Sequence, residues 1–530
     1  MNGWKDSLGN FDPNALMYQL PFLLVVGFGL FVLVLEAFSK GTSKRWLMWV
    51  AVAGIVAGFI GAYLAWKKLG VMVPGDAQVV LDIARGAAPP SSDIPYRELF
   101  DGMLIFDRFG VFMNIVFLVG ALLTVLLVAD YMKEHGFEFG EVFALILFAT
   151  AGMMLLAAAN DLITVFLGLE TMSLAVYVLT GSWRRSPKSA EAAMKYFLMG
   201  AFATGLLLYG IALIYGVTGA TNLHKIAIEA PKVGSNPLFL IGVFLVIVAF
   251  GFKIAAVPFH MWAPDAYEGA PTPVTAFMAA GVKAAAFAGL LRFFGHALGN
   301  ERLVWGPAGW GSLMWILAIA TMTLGNLSAL RQDNIKRMLA YSSIAHAGYL
   351  LIGVVAAGFG AKSAQPAVLF YLLAYTFTTI GAFGVVAWLG NRGDERLLVD
   401  DWAGLGSRHP AAAMAMTIFM LSLAGMPPTA GFFAKFYVFR AAMEAHQQLA
   451  GQTGMMMALV VIAVVNSLIS VYYYLRIVMA MYFREPARET SPLRSPAVAL
   501  ALIGSALFVL QMGLLPSRYL DMATQSLIGR

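Results

Sequence analysis

A glutamate, Glu170, stands in the middle of the apolar run 162–180, and lysines at Lys253, Lys283 and Lys435 occupy similarly deep positions in later runs. Placing such a charge at the centre of a membrane helix costs roughly 2.5–3.5 kcal/mol on an insertion scale, so four of them demand a reason, and the default one is an ion or proton path. The residue types fit proton relay. A lysine removed from water holds its proton less tightly and can exchange it near neutral pH, and a nearby carboxylate opposes that tendency. Two further residues join the candidates. His346 lies near membrane depth, where it either bridges the lysines through water or hydrogen-bonds a neighbouring helix. Lys195 opens the sixth apolar run beside Arg184, Arg185 and Lys188, where an interfacial lysine is as good a reading as a relay member.

The elements that hold these residues are membrane spans. Apolar residues make up 60% of the chain and charged ones 12%, far from the averages of water-soluble domains. Fourteen stretches have spanning length: 18–38, 46–66, 112–128, 142–159, 162–180, 196–215, 238–257, 274–291, 313–330, 338–357, 367–389, 411–438, 455–481 and 497–515. The expected fold is therefore an all-α integral membrane protein, one polytopic domain over residues 1–530. Basic residues collect in the odd-numbered loops (Lys40, Lys44, Arg45; Arg184, Arg185, Lys188; Arg331, Lys336, Arg337; Arg392, Arg396, Arg408; Arg484, Arg488, Arg494), which the positive-inside rule assigns to the cytoplasm, with both termini on the periplasmic side. The connection from Lys67 to Arg108 also carries basic residues and weakens the contrast. The net charge of +6 is then a topological signal and no mark of nucleic-acid binding.

The chain contains no cysteine, so it has no thiolate with which to hold an iron–sulfur cluster. Neither a dinucleotide-binding glycine fingerprint nor a Walker loop is present, and the seven histidines lack metal-ligand spacing. Any redox chemistry coupled to this chain belongs to other subunits.

Two spans carry proline and glycine interruptions beside their lysines: Gly251-Phe-Lys253-Ile-Ala-Ala-Val-Pro258-Phe-His260 in the seventh and Ala424-Gly-Met-Pro427-Pro428-Thr-Ala-Gly431 in the twelfth. Proline removes a backbone donor, and the freed carbonyl at membrane depth needs protein or water to satisfy it. The alternative is that Pro258 simply ends the seventh helix at the interface. A weak internal echo, Tyr177-Val-Leu-Thr-Gly181 against Tyr349-Leu-Leu-Ile-Gly353, has an offset of 172 residues, close to the spacing of the two interruptions. Because the copies lie five spans apart, they imply inverted repeats over 142–291 and 313–481, in which Glu170 falls opposite Ser342.

Gly168-Leu-Glu170-Thr-Met-Ser, Lys195-Tyr-Phe, the run Gly251 through Pro258-Phe-His260-Met-Trp262-Ala-Pro264-Asp265, Tyr267-Glu-Gly-Ala-Pro271-Thr-Pro273-Val-Thr275 and Ala424 through Lys435-Phe-Tyr resemble the antiporter-like proton-channel subunits of respiratory complex I. Within that family the double proline with a terminal lysine and fourteen spans looks most like subunit N; the sister subunit M typically ends its path in glutamate. The resemblance implies that Glu170 and Lys253 form a switchable ion pair, Lys283 is the central relay and Lys435 the exit group, with Lys195 and His346 as further members. It also implies that NADH, FMN, iron–sulfur clusters and quinone sit on partner subunits, and that membrane subunits M and K, a lateral helix of subunit L and the lipid of a bacterial inner membrane surround the chain. A subunit of a related sodium/proton antiporter complex, or subunit M itself, is the alternative.

Overall fold

The computed structural model describes residues 13–39, 43–69, 96–305, 309–390, 395–448, 454–486, 492–493 and 495–528; Lys40, Arg392, Arg488 and Arg494 lie outside these. The long helices are α1 (Leu20–Phe38), α2 (Arg45–Lys68), α3 (Arg108–His135), α4 (Glu141–Ala158), α5 (Leu162–Thr180), α6 (Pro187–Thr218), α7 (Pro237–Ile254), α8 (Thr272–Ala297), α9 (Trp310–Leu330), α10 (Ile335–Gly358) and α11 (Ala364–Leu389). Then come α12, in two pieces (Pro410–Ala424 and Ala430–Gln448), α13 (Gly454–Phe483) and α14 (Pro496–Leu514). Thirteen are continuous, apolar and long enough to cross a bilayer, and α12 is divided.

Local chemistry explains where these helices begin. Asp161 and Asn334 cap α5 and α10 by accepting from Ile163 N (2.8 Å) and Arg337 N (3.2 Å). Ser186-Pro187, Asn236-Pro237 and Ser495-Pro496 place a capping side chain before a proline in the first turn of α6, α7 and α14. Two short hydrogen-bonded crossings secure the starts of α5 and α10 in the same way: Leu162 N and Leu223 N bond Thr221 O and Asn160 O, and Ile335 N and Val399 N bond Leu397 O and Asp333 O. Close helix packing also recurs. A Cβ on Gly152 would lie 2.4 Å from Met172 N, and one on Gly325 would lie 2.7 Å from Ala345 N, so α4 on α5 and α9 on α10 both need glycine at the crossing.

The core is not evenly shared. α8 and α11 are wholly buried and α10 nearly so, whereas α1, α6 and α13 turn large apolar side chains such as Phe31, Phe202 and Leu468 outward. The central helices are therefore the ones shielded on every side by protein, and they carry Lys283 and His346.

Three features depart from expectation. The connection before α3 contains an antiparallel hairpin, β1 (Tyr96–Leu99) and β2 (Leu104–Asp107), turned through Phe100, Asp101 and Gly102 at positive φ; the Asp-Gly pair was its only sequence mark. α6 begins at Pro187 rather than Tyr196, so Lys195 sits two turns inside the helix instead of opening it. α8 contains two π-helical segments, Met278–Val282 and Leu291–Ala297, and Lys283 directly follows the first.

Candidate functional site

α7 ends at Ile254 with Ala255 in the left-handed region (φ 57°), and Ala256 N reaches back to Gly251 O (2.7 Å). The chain then passes through 255–261 into a short helix, Trp262–Gly269. The Trp262 indole N–H binds Phe252 O (2.9 Å), and Thr321 of α9 takes Val257 N (3.0 Å), so the polar backbone of the break is held by protein. Lys253, one residue before that end, is fully buried and donates to Ser173 Oγ (2.7 Å) and Tyr177 Oη (3.0 Å) of α5. A Cβ on Gly200 would meet Tyr177 Oη at 1.9 Å, so only glycine leaves the phenol room beside Lys253.

The direct ion pair expected between Glu170 and Lys253 is not formed. Glu170, half-buried on α5, accepts instead from Thr204 Oγ1 of α6 (2.6 Å). Lys253 has turned to Ser173 and Tyr177, roughly one and two turns further along α5. The two charges share one helix surface without touching.

The second group is equally buried and gathers around α10. Lys283 Nζ donates to both the carbonyl and the hydroxyl of Ser343 on α10, each at 2.5 Å. Beside it, Ser342 bonds Tyr474 of α13, whose hydroxyl lies 3.2 Å from His346 Nε2, and His346 Nδ1 pairs with Tyr371 Oη of α11 (2.6 Å). The Tyr349 ring stands edge-on to His346 (5.7 Å between centroids) and under Lys435 (5.0 Å). Lys435 Nζ closes the series by donating to Ala424 O (2.9 Å), the last carbonyl of the first α12 piece, and to Ser467 Oγ of α13 (3.0 Å). A small cavity between His346, Tyr371, Tyr375, Ser422 and Gly431 opens onto the α12 interruption. Serine, tyrosine and histidine side chains can each give and take a proton, so hydroxyl and imidazole groups line the way from Lys283 to Lys435.

Lys195 lies apart from both groups. It pairs at the surface with Glu191 and Asp265 (2.8 Å each), within a network in which Arg337 binds Asp265 and Glu268 (2.9 Å each) and Lys188 binds Glu268 (3.2 Å). Burial alone would raise the pKa of Asp265 and of Glu268, but the cations of Lys195 and Arg337 on the first, and of Arg337 and Lys188 on the second, hold both below the ordinary carboxylate value.

Two buried charge pairs escaped the sequence reading. Arg292 binds Asp107 through two guanidinium nitrogens (2.9 and 2.8 Å) and ties the end of α8 to the start of α3. Lys336, assigned from sequence to a cytoplasmic loop, is instead fully buried in the first turn of α10 beside Glu395 (3.4 Å). Arg292 lies one residue past the apolar run that was read, and both Lys336 and Glu395 lie beside loop charges that the positive-inside rule already accounts for.

Residues 159–470 match the family described as NADH:quinone oxidoreductase/Mrp antiporter, transmembrane. NADH-quinone oxidoreductase subunit N of Trichlorobacter lovleyi is 47% identical, covering 96% of each chain, and subunit N 1 of Sorangium cellulosum is 50% identical over 82% of this chain and 85% of that one. Among solved structures, a chain of respiratory complex I from Thermus thermophilus with bound aureothin is 33% identical with a TM-score of 0.74, covering 94% of this chain and 98% of that one. A chain of the Mrp complex from Dietzia sp. DQ12-45-1b shares the fold (TM-score 0.76) at 23% identity, covering 96% and 97%. With close to half its residues shared along nearly its full length, the chain belongs to the NADH-quinone oxidoreductase subunit N family.

Proposed function

We propose that the chain, as the N subunit of NADH-quinone oxidoreductase, carries protons across the membrane along Glu170, Lys253, Lys283, His346 and Lys435, driven by electron transfer on other subunits. The observation that carries this reading is the polar series from Lys283 through Ser343, Ser342, Tyr474 and His346 to Tyr349 and Lys435, which starts in the enclosed α8 and α10, takes one tyrosine from α13 and reaches the α12 break. Beyond Lys253, the Tyr196 ring stands edge-on to Tyr177 (4.7 Å) with its hydroxyl buried and without a hydrogen-bond partner, and the buried Tyr267 hydroxyl faces Ser343, the partner of Lys283. Such groups are places for ordered water, which would complete the connection. The separated Glu170 and Lys253 correspond to one position of a switch. Brought together they hold the proton on Lys253, and apart they release it.

The supporting frame is a pair of inverted repeats over 142–291 and 313–481. The helix-start residues of the two crossings and the paired glycine contacts both stand 173 residues apart, an offset that supports such a repeat and would pair Glu170 with Ser343, one residue beyond the Ser342 expected from sequence. In this reading NADH, FMN, iron–sulfur clusters and quinone belong to partner subunits, and subunits M and K, with a lateral helix of subunit L, cover the outward faces left by lipid. The membrane is the bacterial inner one, with both termini periplasmic. Lys195, tied into a surface network, is a positioning residue at the mouth of the α7 break.

Glu170→Gln and Lys253→Ala should each lower proton pumping and quinone reduction together, by about 10²-fold, the lower end of the range for loss of a positioned proton-transfer group. NADH oxidation by an artificial acceptor should stay unchanged. Wild-type pumping by a correctly assembled variant complex would overturn the assignment.

A further inference from the structure

We propose that Lys336 and Glu395 form a proton-uptake site serving Lys283 from the membrane face where α10 begins; this rests on the reading of Lys283 as a relay. Lys336 has no exposed surface, while the Glu395 carboxylate keeps 17% of its side chain exposed, so the pair joins solvent to the interior. Every polar atom of the pair is engaged. Lys336 Nζ donates to Ala270 O (2.8 Å) and to Glu395 Oε2, and Glu395 Oε1 accepts from Thr272 Oγ1 (2.9 Å) and from the Tyr131 hydroxyl. Burial would raise the pKa of Glu395, but Lys336, Tyr131 and Thr272 outweigh it and keep the carboxylate ionised. His135 adds a second titratable group at the same end. Its ring stacks on Tyr131 (4.0 Å), Tyr131 O binds its Nδ1 (2.9 Å), and its Nε2 is buried without a partner.

The way inward is built on α10. Lys336 and Ser343 are seven residues apart, on one helix face and about 10.5 Å along the axis, and Ser343 is the partner of Lys283. The buried Tyr267 hydroxyl of the short helix faces Ser343, so a further proton-carrying group stands beside the partner of Lys283. When Lys283 has given its proton onward, the Lys336 ammonium passes its own proton along this line through water. The amine left behind is reprotonated from water at Glu395, and one proton has moved inward with both groups restored. A clamp needed only for stability has little reason to bury charge, because buried ion pairs can be replaced by neutral contacts at no net loss.

The double variant Lys336→Met/Glu395→Gln tests this, since it removes both charges together and leaves an amide to take the Tyr131 and Thr272 hydroxyls. In the intact complex in proteoliposomes, quinone reduction and proton pumping should fall together by about 10²-fold, with the artificial-acceptor rate unchanged. Glu395→Gln alone should give a smaller fall in the same direction. Wild-type pumping by the double variant would overturn the proposal, and failure of both variants to assemble would assign the cluster to folding and overturn it equally. Lys283→Met is measured alongside: normal pumping there removes the relay reading itself, whereas its loss beside normal cluster variants removes only the uptake site.

Discussion

The interruptions after α7 and within α12 use one backbone device and two different charge arrangements. Ala255 and Gly425 both adopt left-handed conformations (φ 57° and 84°), and each next residue reaches back five positions, Ala256 to Gly251 and Met426 to Leu421. The proline bonds after them, Val257-Pro258 and Pro427-Pro428, are both cis. Yet the lysine stands before the first break and after the second. At the α7 break the Trp262 indole binds the Phe252 carbonyl, which leaves the Lys253 ammonium to face Ser173 and Tyr177 on α5. At the α12 break no indole stands in, and the Lys435 ammonium itself binds the Ala424 carbonyl. One lysine is free to answer a neighbouring helix; the other is part of the break that holds it.

Replacing each lysine by methionine should expose this difference. Lys253→Met and Lys435→Met should each lower coupled turnover by about 10²-fold, since each removes a positioned proton-transfer group. They should separate in stability. Lys435→Met also strips Ala424 O of the ammonium it accepts from, at a cost of about 1–3 kcal/mol for a buried polar group left unmade, whereas Lys253→Met leaves only two hydroxyls that can rotate to other partners. Thermal melting of the assembled complexes in detergent measures it. Equal loss of stability in the two variants would erase the distinction.

A backbone exchange sharpens the same comparison with a smaller effect. Gly425→Ala places a methyl 2.9 Å from Lys435 Cδ at a φ that alanine adopts only at a cost of about 1–2 kcal/mol, so it should both destabilise and shift Lys435 off Ala424. Ala255→Gly relieves the same conformation and adds backbone entropy to the unfolded chain, two terms of about 1 kcal/mol that oppose each other. Its stability and turnover should stay near wild type. A Gly425→Ala complex as active as Ala255→Gly would show that the break tolerates a side chain and that Lys435 does not depend on its shape.

The sequence exposed these lysines because a charge in an apolar run is expensive wherever it sits, and the cost does not depend on knowing the fold. Glu170, Lys253, Lys283 and Lys435 were visible for that reason, and the breaks because proline and glycine act locally. What joins them was not visible. Ser343 meets Lys283 across 60 residues, and Tyr474 meets His346 across 128, and serines and tyrosines are unremarkable in membrane helices. Lys336 shows the opposite failure, because at a span end a lysine has a ready explanation in topology and its pairing with Glu395 has no sequence signature. Lys195 was placed at the helix start because the apolar run begins there; the polar first turns from Pro187 are held by the Ser186 cap and by ion pairs, which hydropathy does not register. The exchange of Glu170 from Lys253 to Thr204 is a matter of side-chain geometry that no spacing records.

The residues just beyond the two breaks differ in charge as well, and pH separates them. The short helix after the first break carries Asp265 and Glu268, locked to Lys195, Arg337 and Lys188, while the opening turns of the second α12 piece, from Ala430 to Phe436, contain no carboxylate. Both carboxylates have folded pKa values held below their unfolded ones, so the stabilisation they supply is complete above the ordinary carboxylate range and is lost as pH falls through the lowered folded values, below about pH 4. Because the groups are partly exposed, the effect should be the smallest of the three. Hydrogen exchange of 262–269 in the intact complex, corrected for the intrinsic rate, should accelerate between pH 6 and about pH 3.5, while 430–436 stays constant. Asp265→Asn should abolish part of that acceleration by removing it at the start. If both segments loosen in parallel, acid is opening the bundle as a whole, and the network at the first break adds nothing that the second break lacks.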